Sequence, residues 1–354
     1  MANRIKAIAD TIDAKRFPVS AREAYFRIAT YFRAADFFLH GNISDPRLYS
    51  LWDSQTAAFD KAISLLPVPG ERINIQGNGF QIPAIFFSPP NSNPNESRPT
   101  ILVGSGYDAA QEDTLHAVGF PILARGWNYV SYEGPGQPTT RRNQNLGFTP
   151  DWHEVVTPIV DYFSTRADVD MASLGLMGLS FGASLAPRVA AYEHRFAAVF
   201  AIDGMYSIQA AFEEDFPPAL ISLFKSGNAT AFDTEMNGIR LDPTYSSHFR
   251  WVVDQGLWAF ETTSPFDWFT QLGAYSLDGL FDKITCPVFV GDGQDDTSIP
   301  GQAPVVAKAL GDLATLYQFN NSLGAGQHCQ LGAEPYLAQV SLDWFQDVLD
   351  KKKG

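Results

Sequence analysis

The sequence predicts an α/β fold in which a mostly parallel sheet is covered by helices on both faces. Two observations lead to this prediction. Short apolar segments of strand type alternate with helical segments from about residue 70 onward, and this alternation is typical of parallel sheets built from strand–helix–strand units. The chain also has 354 residues, of which 45% are hydrophobic, so it is long enough to bury the core that such a sheet requires.

Composition limits the classes of partner. The formal net charge of −14 argues against a nucleic-acid surface. No apolar run approaches the roughly 20 residues of a membrane-spanning helix, and the first residues lack the apolar core of a secretory signal. The two cysteines, Cys286 and Cys329, fit neither a disulfide framework nor a zinc site. These features predict a cytoplasmic protein without nucleic-acid or membrane partners, metal or cofactor.

Residues 1–69 are predicted to form an N-terminal helical segment. Ser20 and Glu23 have the spacing of a capping box and indicate the start of an aromatic-rich helix. A second helix is predicted with Pro46 in its first turn. Aromatic helices of this kind require burial. The sequence leaves open whether they cover a pocket or form a homodimer interface.

The alternation of strands and helices occupies residues 70–203 and resumes over residues 286–354. The predicted strands are, in order, RINIQ, IPAIFF, TILVGS, WNYVSYEG, SLGLMG, AAVFAID, PVFVGDG and ATLYQF. Ligands of parallel sheets bind beyond the carboxyl ends of the strands. We therefore expect the loops that follow these strands to form the functional site.

Residues 204–285 interrupt the alternation and are predicted to form a helical insertion. The segment is rich in large aromatic side chains, namely Phe212, Phe216, Phe224, Phe232, Tyr245, Phe249, Trp251, Trp258, Phe260, Phe266, Trp268 and Phe269. Such rings commonly pack an insertion onto its main domain. Several of them can also line a flat apolar pocket, and the two roles are compatible.

Ser180 lies in the stretch GLMGLSFGASLAPRVA, between Gly178 and Gly182. An apolar strand segment precedes the serine and a helical segment follows it, which is the context of a nucleophile elbow. The serine of such an elbow has a strained backbone conformation, and bulk two residues before or after it would collide with the neighbouring element. The pattern therefore predicts that Ser180 is a nucleophile.

A serine nucleophile needs a base, and the base needs an orienting acid. His328 follows the last predicted strand in a glycine-containing loop, and we expect it to be the base. Asp296 follows the strand PVFVGDG and is the preferred acid, with Asp295 as the alternative. Asp203, at the end of AAVFAID, is a further candidate that either replaces this acid or contacts the substrate. The order Ser, Asp, His is that of elbow-type hydrolases.

An oxyanion at Ser180 requires two backbone donors. The amide of Phe181, directly after the nucleophile, is the first expected donor. The second is expected in the loop LVGSGYDAAQED, where Gly104 and Gly106 allow close approach of the backbone. We assign it to the amide of Tyr107.

Together these motifs resemble the α/β-hydrolase superfamily. The segments VGSGYDAAQED, EGPGQP, GLMGLSFGASLAPRVAAYEHR, DDTSIPGQAP and GAGQHCQLGAEPYL resemble more narrowly the group that includes dihydroxypseudooxynicotine hydrolase and fungal polyketide hydrolases. The resemblance implies a triad of Ser180, Asp296 and His328, the oxyanion donors named above, and a lid built from residues 1–69 and 204–285. The usual EGPGQG is EGPGQP here and the usual SLGGY is SFGAS, and both differences are expected near the pocket.

The resemblance also implies the reaction. Members of this group often cleave a carbon–carbon bond beside a ketone in aromatic or polyketide compounds, and others cleave esters. We therefore predict a serine-dependent hydrolase that performs a retro-Claisen type cleavage of an aromatic or polyketide-like small molecule in secondary metabolism or catabolism. The alternatives are a carboxylesterase, a lactonase or an acyltransferase, and a ligand-binding receptor on a hydrolase scaffold.

Overall fold

The computed structural model describes residues 1–90 and 92–353. Eight strands in this part of the chain form one sheet: β1 (Glu71–Gln76), β2 (Gln81–Phe87), β3 (Arg98–Gly104), β4 (Asn128–Tyr132), β5 (Val169–Leu179), β6 (Ala198–Ile202), β7 (Val288–Gly293) and β8 (Ala314–Phe319). Their order is β1-β2-β4-β3-β5-β6-β7-β8. β2 pairs antiparallel with β1 and β4, and the other neighbours are parallel. The predicted α/β fold is confirmed.

Helices occupy most of the remaining described chain: α1 (Ala2–Ala9), α2 (Pro18–Asp36), α3 (Arg47–Ile63), α4 (Phe120–Ala124), α5 (Pro138–Gln144), α6 (His153–Ser164), α7 (Gly182–Ala190), α8 (Ile208–Asp215), α9 (Pro218–Lys225), α10 (Ala229–Leu241), α11 (Ser247–Ala259), α12 (Pro265–Leu272), α13 (Gln302–Leu310) and α14 (Glu334–Lys353). A π-helical turn at Leu115–Gly119 leads into α4. No helix within the described residues is long and apolar enough to cross a membrane.

The burial of each strand follows its place in the sheet. Every residue of β4 and of β6 is buried, as expected for strands that are covered on both faces. The edge strands β1 and β8 have several exposed residues. One core cluster joins one face of the sheet to α6, α7 and the helices of segment 204–285. A second cluster joins the other face to α1, α2, α3 and α14.

The start of α2 differs from the sequence prediction. The capping-box spacing placed it at Ser20, but the helix begins at Pro18 and its preceding residue, Phe17, makes no side-chain capping bond. Proline suits the first helical position because its fixed φ matches the helix and it has no N–H that needs an acceptor. The proline therefore determines the start of this helix.

A buried ion pair joins the N-terminal helices to the sheet domain. The guanidinium of Arg142, in α5, donates to both carboxylate oxygens of Asp36, at the end of α2, over 2.9 and 2.8 Å. It also donates to the carbonyl of Leu48 in α3 over 3.0 Å. The same group lies 4.3 Å from the ring centre of Trp52 and 4.8 Å from that of Trp258. One side chain thus contacts α2, α3 and α11.

Replacing Arg142 with methionine is expected to lower the free energy of unfolding by about 3 kcal/mol, because the buried carboxylate of Asp36 loses two hydrogen bonds and keeps only the guanidinium of Arg33, 3.6 Å away, as a counter-charge. The side chains of Arg142 and Asp36 are only 2% and 1% exposed. Urea denaturation of Arg142→Met, Asp36→Leu and the double variant measures the coupling. We expect the double variant to lose less than the sum of the two single losses, and simple additivity would contradict the assigned ion pair.

Candidate active site

The backbone at Ser180 has the predicted elbow geometry. β5 ends at Leu179, α7 begins at Gly182 and Ser180 between them has a φ of +59°, a left-handed conformation that non-glycine residues rarely adopt. A Cβ atom on Gly178 would overlap the carbonyl of Gly182, and one on Gly106 would lie 2.6 Å from the amide nitrogen of Phe181. The glycines are therefore needed for close approach, and the turn raises the serine above the carboxyl ends of the strands.

His328 lies between Ser180 and Asp296. Its Nε2 is 2.9 Å from Oγ of Ser180, and its Nδ1 is 2.7 Å from Oδ2 of Asp296. An ionised carboxylate only accepts hydrogen bonds, so Nδ1 donates to Asp296 and Nε2 is left to accept from the serine hydroxyl. Backbone amides of Ser298 and Ile299 donate to the other oxygen of Asp296 over 2.7 and 3.3 Å. The three predicted triad residues are thus brought together in a geometry suited to proton transfer.

The alternative acid Asp295 lies elsewhere. Its side chain is exposed and accepts a hydrogen bond from the side chain of Asn321. The turn directs adjacent residues to opposite sides, so only Asp296 of this pair reaches the histidine. The assignment of Asp295 as a triad acid has no support in this geometry.

Asp203 is close to His328, but its carboxylate also accepts hydrogen bonds from the two residues that follow the histidine. Its carboxylate is 3.3 Å from Nδ1 of His328, and it accepts hydrogen bonds from the backbone amide of Cys329 and, over 2.7 Å, from Nε2 of Gln330. Cys329 and Gln330 each have a φ of +51°. Asp203 is 2% exposed and is not among the residues that line the cavity described below. It therefore stabilises the turn that carries His328, and its predicted contact with substrate has no support in this geometry.

Asp203, His328 and Cys329 are also the described residues whose side chains approach metal-ligand geometry, with ligand atoms within 4.8 Å of one another. The histidine nitrogen on this side already donates to Asp296, and the carboxylate of Asp203 already accepts two hydrogen bonds. These atoms are better explained by the hydrogen-bond network than by a metal site.

The groups around His328 favour its protonated form. Burial alone lowers the pKa of this imidazole, but contact with Cys329, the hydrogen bond to Asp296 and the charge of Asp203 outweigh burial and raise the pKa above its ordinary value. Only neutral His328 can accept a proton from Ser180. Activity should therefore rise with pH, with its acid limb above the usual titration range of histidine.

Asp203→Asn is expected to move this acid limb to lower pH. The substitution removes one of the two carboxylates that stabilise the imidazolium, so the pKa of His328 falls and the neutral base is available at lower pH. The measurement is a profile of kcat/KM against pH for the wild type and the variant. An unchanged acid limb would show that Asp203 is uncharged or does not act on the base.

The loop that carries one predicted oxyanion donor, Tyr107, approaches the backbone of the other, Phe181. Gly106 brings its loop against Phe181, and within residues 1–90 and 92–353 no acceptor is bonded to the amide of Tyr107 or of Phe181. The position of Tyr107 is fixed from α11, since its hydroxyl donates to the carbonyl of Val252 over 2.8 Å and its carbonyl accepts from Gln255 over 3.0 Å. Both amides are thus available to a ligand, and their role as oxyanion donors stays a prediction.

The segment EGPGQP supports the oxyanion loop, a role that the sequence analysis did not assign. Gln137 is fully buried and its Nε2 donates to the carbonyls of Ser105 and Gly106 over 3.0 and 3.1 Å. Its Oε1 accepts from the amide of Gly134 over 2.9 Å. Pro138, the residue that departs from the usual motif, begins α5 and does not line the cavity. Proline is accommodated there as the first residue of a helix, one position from the glutamine that bonds the loop beside the cavity.

A cavity of about 380 Å³ opens above Ser180 and His328. Its aromatic lining consists of Phe37, Phe38, Tyr107, Phe181, Phe212 and Trp251. Sequence analysis had named Phe212 and Trp251 among the rings that could line a pocket. Phe37 and Phe38, just after α2, belong to the N-terminal aromatic segment, for which the sequence left open whether it covers a pocket or forms a dimer interface.

The cavity wall joins the N-terminal segment to segment 204–285. Phe37 and Trp251 stack with ring centres 4.9 Å apart, and Nε1 of Trp251 donates to the carbonyl of Phe37 over 3.1 Å. Phe260 packs the insertion onto segment 70–203, because its ring centre lies 5.0 Å from that of Phe148. Both roles predicted for these aromatic side chains therefore occur.

Comparison with known proteins agrees with the predicted resemblance and with the fold. No model of a known protein family matches the sequence. Among curated proteins, the chain is similar to Hydrolase acrC of Aspergillus aculeatus (25% identity, covering 100% of this chain and 87% of that protein) and to Hydrolase LUC6 of a Fusarium species (29%, covering 98% and 85%). It is also similar to the 20-hydroxy-prefusarin hydrolase FUS2 of Gibberella moniliformis (28%, covering 83% and 71%).

Solved structures show the same architecture. The structure of 2,6-dihydroxy-pseudo-oxynicotine hydrolase superposes with a TM-score of 0.76 at 19% identity and covers 98% of this chain and 86% of that chain. AbyA5 superposes with a TM-score of 0.67 at 17% identity, covering 95% and 82%. The predicted resemblance is confirmed, and the chain is a hydrolase of the α/β-hydrolase fold that is similar to fungal hydrolases of this type.

Proposed function

We propose that the protein is a serine hydrolase that cleaves a carbon–carbon bond beside a ketone in an aromatic or polyketide-like small molecule. The observation that carries the proposal is the position of His328, within hydrogen-bond distance of both Ser180 and Asp296 at the floor of an aromatic cavity. This arrangement has the geometry of an activated nucleophile with its base and orienting acid.

In the proposed first step, Nε2 of His328 accepts the hydroxyl proton of Ser180 while Oγ attacks the substrate carbonyl. The carbonyl oxygen becomes an oxyanion, which accepts hydrogen bonds from the amides of Tyr107 and Phe181. Asp296 stabilises the imidazolium and maintains its orientation. Because Tyr107 is held in place by α11, the donors need little rearrangement as charge develops.

The departing group determines which substrates can react. When the bond to the adjacent carbon breaks, that carbon leaves as a carbanion, which is a poor leaving group unless it is delocalised and protonated. The imidazolium of His328 supplies the proton, and water then releases the acyl group from Ser180. A 1,3-dicarbonyl compound or a hydroxyaryl ketone meets this requirement, and its flat shape fits a cavity lined by rings.

The remaining parts of the proposal concern the cover of the cavity and the substrate class. Phe37 and Phe38 from the N-terminal segment and Trp251 from segment 204–285 border the cavity, which supports a lid built from both segments. The relatives include proteins named as hydrolases of 20-hydroxy-prefusarin and of 2,6-dihydroxy-pseudo-oxynicotine. These names support a small organic molecule as substrate.

Product analysis by mass spectrometry of an aryl 1,3-diketone and the corresponding aryl ester, with wild type and Ser180→Ala, tests the proposal. We expect the wild type to convert the diketone into a carboxylic acid and a ketone, and the variant to convert neither compound. Cleavage of the ester alone would assign an esterase, lactonase or acyltransferase. Tight binding of the diketone without any product would assign a ligand receptor.

A further inference from the structure

Asp108 places a carboxylate in the catalytic cavity that the proposed mechanism does not use. It directly follows Tyr107, and its side chain lines the same cavity as Ser180 and His328. The side chain is 25% exposed. A substrate whose carbonyl reaches the two backbone donors therefore passes close to this carboxylate.

The protein itself provides little compensation for this charge. Nη2 of Arg33, in α2, donates to the backbone carbonyl of Asp108 over 2.6 Å but lies 3.9 Å from its carboxylate. The same guanidinium is shared with Asp36 and Asp113, at 3.6 and 3.2 Å. Across residues 1–90 and 92–353, no side chain donates a hydrogen bond to the carboxylate of Asp108.

Burial makes an unsatisfied carboxylate unfavourable in this position. Burial and the charge of Asp113 raise the pKa of Asp108, whereas the charges of Arg33 and His328 and a backbone hydrogen bond act in the opposite direction. A partly buried carboxylate gains most from a donor that carries positive charge, and next from a hydroxyl group. The cavity is therefore better occupied by a ligand that brings such a donor.

The other residues that line the cavity also disfavour an anionic ligand. Among the described residues that line the cavity there is no lysine and no arginine, whereas Asp215 from α8 adds a second carboxylate. Burial raises the pKa of Asp215 as well, and the nearby His248 partly offsets this. When His328 is in the neutral form that the mechanism requires, an anionic ligand would meet two carboxylates and no lysine or arginine in the described lining.

We propose that Asp108 is the substrate-binding residue that selects aromatic ketones carrying a hydrogen-bond donor, an ammonium group above all, and excludes anionic ones. The inference rests on the proposed function, since it assigns the substrate class of the same cavity. With this assignment, the hydrogen-bond donor of the substrate binds next to the loop that carries the proposed oxyanion donor Tyr107. Asp108 thus links α2, through Arg33, to the orientation of the substrate.

Calorimetric binding of substituted acetophenones tests this assignment without any turnover. The probes carry an aminomethyl, hydroxyl, methyl or carboxylate group, each as the ortho, meta and para isomer, and their methyl ketone is too poor a leaving group to be cleaved. The proteins are the wild type, Asp108→Asn and the matched variant Asp215→Asn. Because binding is measured, failure of the serine mechanism in the product assay would leave this readout intact.

We expect the best aminomethyl isomer to bind the wild type at least about tenfold more tightly than its methyl counterpart, and the carboxylate to bind most weakly. Asp108→Asn should abolish the preference for aminomethyl and keep the Kd of the methyl probe within about twofold. Asp215→Asn should retain the preference. The assignment is overturned if Asp108→Asn keeps the preference, if Asp215→Asn removes it instead, or if the wild type binds no probe or shows no preference.

Discussion

Ser180→Ala is expected to lower kcat by a factor of the order of 10^5, as the loss of a triad nucleophile does in serine hydrolases. The substitution removes the Oγ that lies 2.9 Å from His328 and leaves the oxyanion donors in place. It adds no atom to the turn between β5 and α7, so the fold should be retained. The measurement is steady-state kinetics on the diketone or ester that the product assay identifies.

Ser184→Ala is the matched control for this variant. Ser184 lies one turn further along α7, is fully buried and donates to the carbonyl of Tyr275 over 2.9 Å. Ser184→Ala also removes a serine hydroxyl, but this hydroxyl bonds Tyr275 and not His328. We therefore expect most of the activity to remain. Activity of Ser180→Ala above about one hundredth of wild type would indicate that His328 activates water directly, since that route does not require the serine.

Local sequence patterns were sufficient for the sheet and for two of the three residues whose side chains meet at the candidate site. Each predicted strand segment corresponds to one of the eight strands in the described part of the chain. The buried parallel strands are continuous apolar runs, and the edge strand β1 alternates exposed and buried residues over most of its length. Ser180 was found from its strand–turn–helix context, and His328 from its place after the last strand. Both signals depend on neighbours in sequence, which a pattern can show.

The choice between the acids depends on contacts that a pattern does not show. Asp203 follows β6 and Asp296 follows β7, and these adjacent parallel strands deliver both carboxylates to the same edge of the sheet. Only the three-dimensional turn after each strand determines that Asp296 is 2.7 Å and Asp203 is 3.3 Å from the same nitrogen. The preference for Asp296 in the sequence analysis agrees with these distances, although the catalytic assignment itself stays a prediction.

Residues that support the site from a distance were missed for the same reason. Arg33 contacts Asp108 across 75 positions of the chain, and Gln137 contacts Ser105 and Gly106 across more than thirty. Neither type of residue is unusual where it occurs in the sequence. The one available signal is a glutamine in a glycine turn directly after an apolar strand. An amide at such a place is expected to be buried, and buried amides need several hydrogen-bond partners.

Asp296→Asn is expected to lower kcat by about 10^4-fold, while Asp203→Asn should cost much less. An asparagine at position 296 can present its NH₂ group to Nδ1 of His328, which favours the tautomer with the proton on Nε2. That tautomer cannot accept the proton of Ser180. Asp203 lies farther from Nδ1 and also bonds the turn at Cys329 and Gln330, so its loss should affect the pH profile and stability more than kcat.

Asp295→Asn provides the matched control, because it removes the same charge from the adjacent residue, which is exposed and bonded to Asn321. We expect this variant to retain wild-type kcat. The three asparagine variants are compared at a pH above the acid limb, so that a change in the pKa of His328 is not mistaken for a change in the chemical step. A larger loss in Asp203→Asn than in Asp296→Asn would assign Asp203 as the orienting acid, since both carboxylates reach the same nitrogen and only the one that fixes its proton controls the base.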